Sequence, residues 1–278
     1  MQTLDTHLFT GLYRHMLASR KADAVQEDAA QRGEAFFYIP SSGHEAMAAL
    51  APHLTPADWL HCHYRDRALL FARGVTLLDV LLDLLGKTGS PSEGRNMPGF
   101  ACNRRLNLLP APTGVGSNAL QAVGAAQAVK NGHDIVYCGI GDGGTQEGEF
   151  LEAVAEAVRS QLPVLFVVQN NRYALSTPSK GRTFFSLPSG DAKEFYGLPV
   201  LRADGTDVVA THRLFGKAVA EIRKTRGPQL VVVDVERLMS HTNADDHTLY
   251  RSADDIREMR EKADPILILA QKLIKIGR

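Results

Sequence analysis

Three short runs constrain this chain more than any other feature: DIVYCGI at 134–140, PVLFVVQ at 163–169 and QLVVVDVE at 229–236. Side chains on a strand point alternately to opposite faces, so a half-exposed strand alternates apolar and polar residues. Runs that stay apolar at nearly every position need cover on both faces, as in a parallel sheet between two helix layers. Helical segments are expected at 118–130, 147–160 and 207–224, with a short strand at 199–202. Upstream, residues 5–31 read as one helix ended by Gly33. Ser42 and Glu45 are spaced as a capping box opening a helix through Leu50. Thr76 to Leu85 is helical and almost wholly apolar, so burial on most sides is expected. Residues 86–117, rich in Gly and Pro, read as loop. The expected fold class is α/β, a doubly wound, mostly parallel sheet with helices on both faces, formed as a single domain over residues 1–278.

Composition narrows the function classes. The chain has 278 residues, with 31 basic and 31 acidic side chains and no formal net charge. Gripping nucleic acid needs a surplus of Lys and Arg, so no nucleic-acid partner is expected. A neutral chain is poorly held apart from its neighbours, which favours a stable protein partner. Cys62, Cys102 and Cys138 are too few for a disulfide framework, and none shows CxxC spacing. The first residues look like neither a secretory signal nor a transit peptide. The apolar run from Val75 to Leu85 is interrupted by Asp79 and Asp83 and is too short to span a bilayer, so no membrane role and a cytoplasmic location are expected.

In doubly wound sheets, ligands bind beyond the carboxyl ends of the strands. The first apolar strand is followed by Gly141-Asp142-Gly143-Gly144-Thr145-Gln146-Glu147-Gly148, the second by Asn170-Asn171-Arg172-Tyr173. The glycines allow close approach of a ligand, and the helix that follows offers free amide groups to an anion. Asp142 and Asn171 are one strand–helix–strand excursion apart, so their tips can meet. A carboxylate, an amide oxygen and a nearby carbonyl form a hard, oxygen-only set suited to Mg²⁺. Either motif alone is more often an ordinary turn.

The text GDGGTQEGEFLEAVAEAVRSQLPVLFVVQNNRYALST resembles the alpha subunit of the thiamine diphosphate-dependent decarboxylating component of 2-oxo acid dehydrogenase complexes (the pyruvate, branched-chain and acetoin enzymes). Further matches occur in order: Phe37-Tyr38, Gly43-His44-Glu45-Ala46, His63-Tyr64-Arg65-Asp66, Gly94 to Pro98, Gln121 to Ala126, and Ser240 to Asp246. The resemblance implies two cofactors, thiamine diphosphate and Mg²⁺. It implies Asp142, Asn171 and the main-chain carbonyl of Tyr173 as metal ligands. Tyr64 and Arg65 match a pair that bonds the diphosphate, and Gly141, Gly143, Gly144 and Asn171 fall around it. Val115, within Thr113 to Ala119, takes the place of an apolar residue beneath the bent cofactor. His241 matches a histidine that binds near the reactive end and assists catalysis, and a loop His near neutrality shuttles protons. Tyr38, Pro40 and Ser41 fall where relatives shape the substrate pocket.

The same resemblance implies partners. A glutamate that activates the cofactor lies on a beta subunit in this family, and nothing in this chain matches its surroundings. An assembly of two alpha and two beta chains is therefore expected, decarboxylating a small 2-oxo acid and passing the acyl group to a lipoyl-bearing acyltransferase. Departures exist: Thr242 replaces a phosphorylated Ser of regulated relatives, Phe100 replaces a frequent His, and the sequence ends where many relatives continue, as in a shortened variant or fragment. A split transketolase-like enzyme acting on sugar phosphates, and a non-catalytic homologue, are the alternatives. The NNRYALST and HTNADDH segments favour the dehydrogenase. The polar segments 176–194 and 240–250 are expected to be disordered without cofactor.

Overall fold

The structure is a computed structural model and describes residues 4–276. Its helices are α1 (Thr6–Gln31), α2 (Arg67–Arg73), α3 (Leu77–Leu84), α4 (Ser117–Val129), α5 (Gly148–Ser160), α6 (Val208–Thr225), α7 (Ala253–Lys262) and α8 (Pro265–Lys275). The strands are β1 (Trp59–His61), β2 (Val136–Gly141), β3 (Val164–Asn170), the short β4 (Tyr173–Ala174), β5 (Thr177–Pro178), β6 (Ser186–Leu187), β7 (Gly190–Asp191) and β8 (Glu194–Phe195), then β9 (Leu198–Asp204) and β10 (Gln229–Asp234). A six-stranded sheet runs β1-β2-β3-β10-β9-β8. All its pairings are parallel except the β8–β9 hairpin.

The apolar runs are buried on both sides, as their patterning requires. On β3 and β10, Leu165, Val167, Val231 and Val233 pack toward Met16 of α1, Phe215 of α6 and Leu269 of α8. Val164, Phe166, Val168, Leu230 and Val232 point the other way, into a second core with α4 and α5. All seven residues of β3 are buried. Small residues (Ala119, Ala122 and Ala126 of α4, Ala153 and Ala157 of α5) line that second core and let the helices lie close. The long first helix is capped by Asp5, whose side chain accepts from the Leu8 amide at 3.0 Å, satisfying an otherwise unpaired helix-terminal donor.

Two local expectations fail for identifiable reasons. No capping box forms at Ser42 and Glu45. The Ser42 hydroxyl is taken by buried Asp23 at 2.6 Å, and Glu45 reaches the Gly43 amide and Arg20. The segment Glu45–His53 is consequently a 3-10 helix without a side-chain cap. Helix α3 buries only Leu84, while Leu78 is 63% exposed. Its apolar sequence leaves an open face on the described surface rather than forming a core element. Strand β1 and helices α2, α7 and α8 had no matching expectation. β1 is three residues long and mixes Trp, Leu and His, too short for any period to register. The segments at 176–194 and 240–250 carry ordered contacts: short antiparallel ladders and fully buried Phe185 in the first, a 3-10 turn His247–Leu249 in the second. No helix among the described residues is long and apolar enough to cross a membrane.

Candidate active site

The carboxyl ends of β1, β2 and β3 lie side by side, with His61 opposite Cys138 and Gly141 opposite Gln169. Beyond them opens a cavity of about 460 Å³, within the usual range for a small-molecule site. Asp142, Asn171 and Tyr173 line it together with Gly141, Gly143, Gly144, Tyr64, Val115 and His241. Asp142 is 2% exposed and Asn171 6% exposed. Residues far apart on the chain thus converge because the βαβ crossover returns each strand parallel to the last.

Burial pushes the Asp142 carboxyl above the ordinary carboxylate range, opposed by a hydrogen bond from the Ser179 hydroxyl and by backbone amides. A cation against this carboxylate would remove the desolvation cost. Asn171 Oδ1 accepts from the Tyr173 amide at 3.1 Å, which draws the Tyr173 main chain into the same corner. A Cβ on Gly143 would lie 2.6 Å from the Ala174 Cβ, so the turn after β2 can touch the segment after β3 only without a side chain.

Arg65 does not line the cavity. It sits behind the wall, 1% exposed, donating to the Pro40 carbonyl and to both Nδ1 and the carbonyl oxygen of His241, each of the latter at 3.0 Å. A guanidinium only donates, so His241 Nδ1 accepts and its Nε2 carries the proton. Burial first, then the charges of Arg65 and Arg237, lower the His241 pKa to about 3. His241 is therefore a neutral hydrogen-bond donor near pH 7 rather than a group titrating there.

Arg237 is a second buried guanidinium, also 1% exposed, bonded to the Leu175 carbonyl and the Tyr250 hydroxyl. Among the described residues neither Arg65 nor Arg237 pairs with a carboxylate, and the Nε of each lacks a partner. Buried charge without a counter-ion is costly. Burial is also the main reason the Arg65 pKa falls to about 10, with Arg237 adding to it. Two such cations behind one cavity suit an anionic ligand, and the oxygen donors of Asp142, Asn171 and Tyr173 suit the hard cation that would accompany it. The residues present fit a metal-bound diphosphate.

Of the three residues expected to shape a substrate pocket, none lines this cavity; Phe37 and Ile39 do. Tyr38 and Pro40 border an adjoining hollow, and Ser41 is tied to Asp23. Alternation along the extended segment turns the odd-numbered residues inward. His63, just past the end of β1, lines the cavity and is buried. It was missed because β1 was missed: the rule that picked Asp142 and Asn171 applies equally to the residue beyond His61.

Residues 13–278 match the model of the family described as "Dehydrogenase E1 component". The chain belongs to this family. It is 33% identical over 249 residues to the 3-methyl-2-oxobutanoate dehydrogenase subunit alpha of Mycobacterium tuberculosis, covering 88% of this chain and 65% of that protein. It is 30% identical over 271 residues to the 2-oxoisovalerate dehydrogenase subunit alpha of Bacillus subtilis, covering 96% and 82%. With the mitochondrial 2-oxoisovalerate dehydrogenase subunit alpha 2 of Arabidopsis thaliana it shares 31% identity over 262 residues, covering 92% and 54%. The chain thus spans just under two thirds of the mycobacterial relative and about half of the plant one.

Proposed function

We propose that this chain, taken over 1–278 as one domain, is the alpha-type subunit of a 2-oxo acid dehydrogenase. It would hold thiamine diphosphate through Mg²⁺ on Asp142, Asn171 and the Tyr173 carbonyl. The observation that carries the reading is the pairing of Asp142 and Asn171 at adjacent parallel strand tips, in front of two buried guanidinium groups that lack carboxylate partners among the described residues. The related alpha subunits, whose names specify branched 2-oxo acids, support a small 2-oxo acid substrate.

When bound, the cofactor supplies an electron sink for decarboxylation. Asp142 and Asn171 anchor the metal end, and buried Asp142 draws the cation by Coulomb attraction in a water-poor corner. Gly141, Gly143 and Gly144 line the cavity and would meet the diphosphate through their backbone. Tyr64 faces the cavity and lies tilted against His63, with ring centroids 3.9 Å apart and planes 37° apart. Arg65 acts through His241. His241, fixed by Arg65, offers its Nε2–H to a developing negative oxygen and so serves as hydrogen-bond donor in catalysis. Val115, 61% exposed, stands as the apolar support. Such an open apolar side chain, with the uncovered face of α3, supports closure against a beta subunit; on this reading the assembly holds two alpha and two beta chains and passes the acyl group to a lipoyl-bearing acyltransferase. Three free cysteines fit a reducing compartment such as the cytoplasm.

The test is calorimetric. Mg²⁺–thiamine diphosphate is titrated into the protein purified with the subunits that accompany it. Asp142→Ala should weaken metal-dependent binding by about 100-fold or more, the upper end of what loss of a residue merely supporting a ligand costs. Wild-type affinity in that variant would remove Asp142 from the site.

A further inference from the structure

Beneath the metal end of the cavity lies a line of polar side chains that the proposed chemistry does not yet use. Asp66, Gln169 and His44 are all fully buried. They come from three separate elements: the cap of α2, the end of β3 and the loop before Glu45. Asp66 Oδ2 accepts from the Tyr137 hydroxyl at 2.9 Å and from the His63 amide at 2.7 Å. Its Oδ1 accepts from Gln169 Nε2 at 2.6 Å.

That last bond sets the direction of everything beyond it. With Nε2 donating to Asp66, the Gln169 group at His44 is the carbonyl Oε1, 2.7 Å from His44 Nδ1. Oε1 can only accept, so Nδ1 carries the imidazole proton and Nε2 keeps a bare lone pair. Nε2 lies 3.4 Å from the side-chain nitrogen of Asn171, a long but donor-to-acceptor contact. The other end of the same amide, Oδ1, accepts from the Tyr173 amide. Turning the Asn171 amide over would set oxygen against the His44 lone pair and NH₂ against the Tyr173 N–H. Both neighbours therefore select one orientation.

We propose that His44 is a positioning residue for the metal end of the site: fixed by Gln169 and Asp66, it holds Asn171 so that the amide oxygen, not the NH₂, is available to a divalent cation. This rests on the reading of Asp142 and Asn171 as cation ligands. Partners of this kind, one bond removed from the metal, orient the ligand and commonly govern affinity. The amide of an asparagine is nearly symmetric in shape, so packing alone does not choose its orientation; hydrogen bonding does.

Two variants separate the relay from bulk stability. His44→Asn keeps a polar group near the Nδ1 position, able to bond Gln169, but ends short of Asn171. His44→Gln is longer and offers an oxygen where Nε2 stood. Mg²⁺ is titrated into the protein with its accompanying subunits at saturating thiamine diphosphate, and affinity is read by calorimetry beside the thermal unfolding midpoint. His44→Asn should raise the Mg²⁺ dissociation constant about tenfold, the lower end of such effects, while His44→Gln stays within about threefold of wild type. If His44→Asn binds Mg²⁺ as wild type does, or His44→Gln loses as much as His44→Asn, the relay is overturned while the cofactor reading stands. If wild type itself shows no Mg²⁺-dependent uptake of thiamine diphosphate, the cofactor reading falls and takes the relay with it.

Discussion

The two ends of the cavity are built on opposite principles. At the strand tips the groups are polar, buried and held: Asp142 by Ser179, and Asn171 by His44 and Tyr173. At the rim the side chains are apolar and open, with Val115 61% and Leu175 59% exposed. Not far along the chain, α3 leaves Leu77 and Leu78 uncovered. Held polar groups at one end and unburied apolar surface at the other fit the proposed division of labour, in which this chain would supply the ion's ligands and a second chain would cover the reactive end.

The comparison can be broken most severely from below. Phe166 is fully buried in β3, the strand that delivers Gln169 and Asn171. Phe166→Ala should cost about 3–5 kcal/mol of stability, read by chemical denaturation, and should loosen the polar end because its support is gone. A loss under about 1 kcal/mol would mean that the floor does not depend on strand packing.

A sharper contrast comes from pH. His241 has a folded pKa of about 3, below its ordinary value of 6.5. Below pH 6.5 the unfolded chain takes up a proton that the folded chain refuses, so stability falls with acidification until the folded pKa is reached. His241→Asn removes this contribution, and the decline in stability between pH 6.5 and pH 4 should become shallower than in wild type. Equal slopes would show that His241 is not held neutral. The smallest expected effect is at the rim: Leu78→Glu, on the open face of α3, should change folding stability by no more than about 0.5 kcal/mol. The same variant should weaken association with a partner chain, measured by sedimentation. A large folding defect would place Leu78 in a core.

Much of this was legible from local text. The apolar runs at 134–140, 163–169 and 229–236 placed three parallel neighbours and so brought Asp142 beside Asn171. The position of Arg65 was not legible. A Tyr-Arg pair next to a cavity reads as a ligand contact, yet burial turned the guanidinium toward Pro40 and His241. His63 and His44 were passed over because neither belongs to a strand long enough to declare a period. The uncovered face of α3 was misread as core because an apolar helix carries no mark of which partner will cover it.

Hydrophobic patterning alone determined the layered sheet and the strand tips, since side-chain alternation is a local property of the backbone and reads directly from consecutive residues. Which nitrogen of a buried histidine holds its proton, and which way an asparagine amide faces, were decided only in the folded molecule. Those choices depend on donors and acceptors supplied from segments far apart in the chain, and no local pattern records who the neighbour will be.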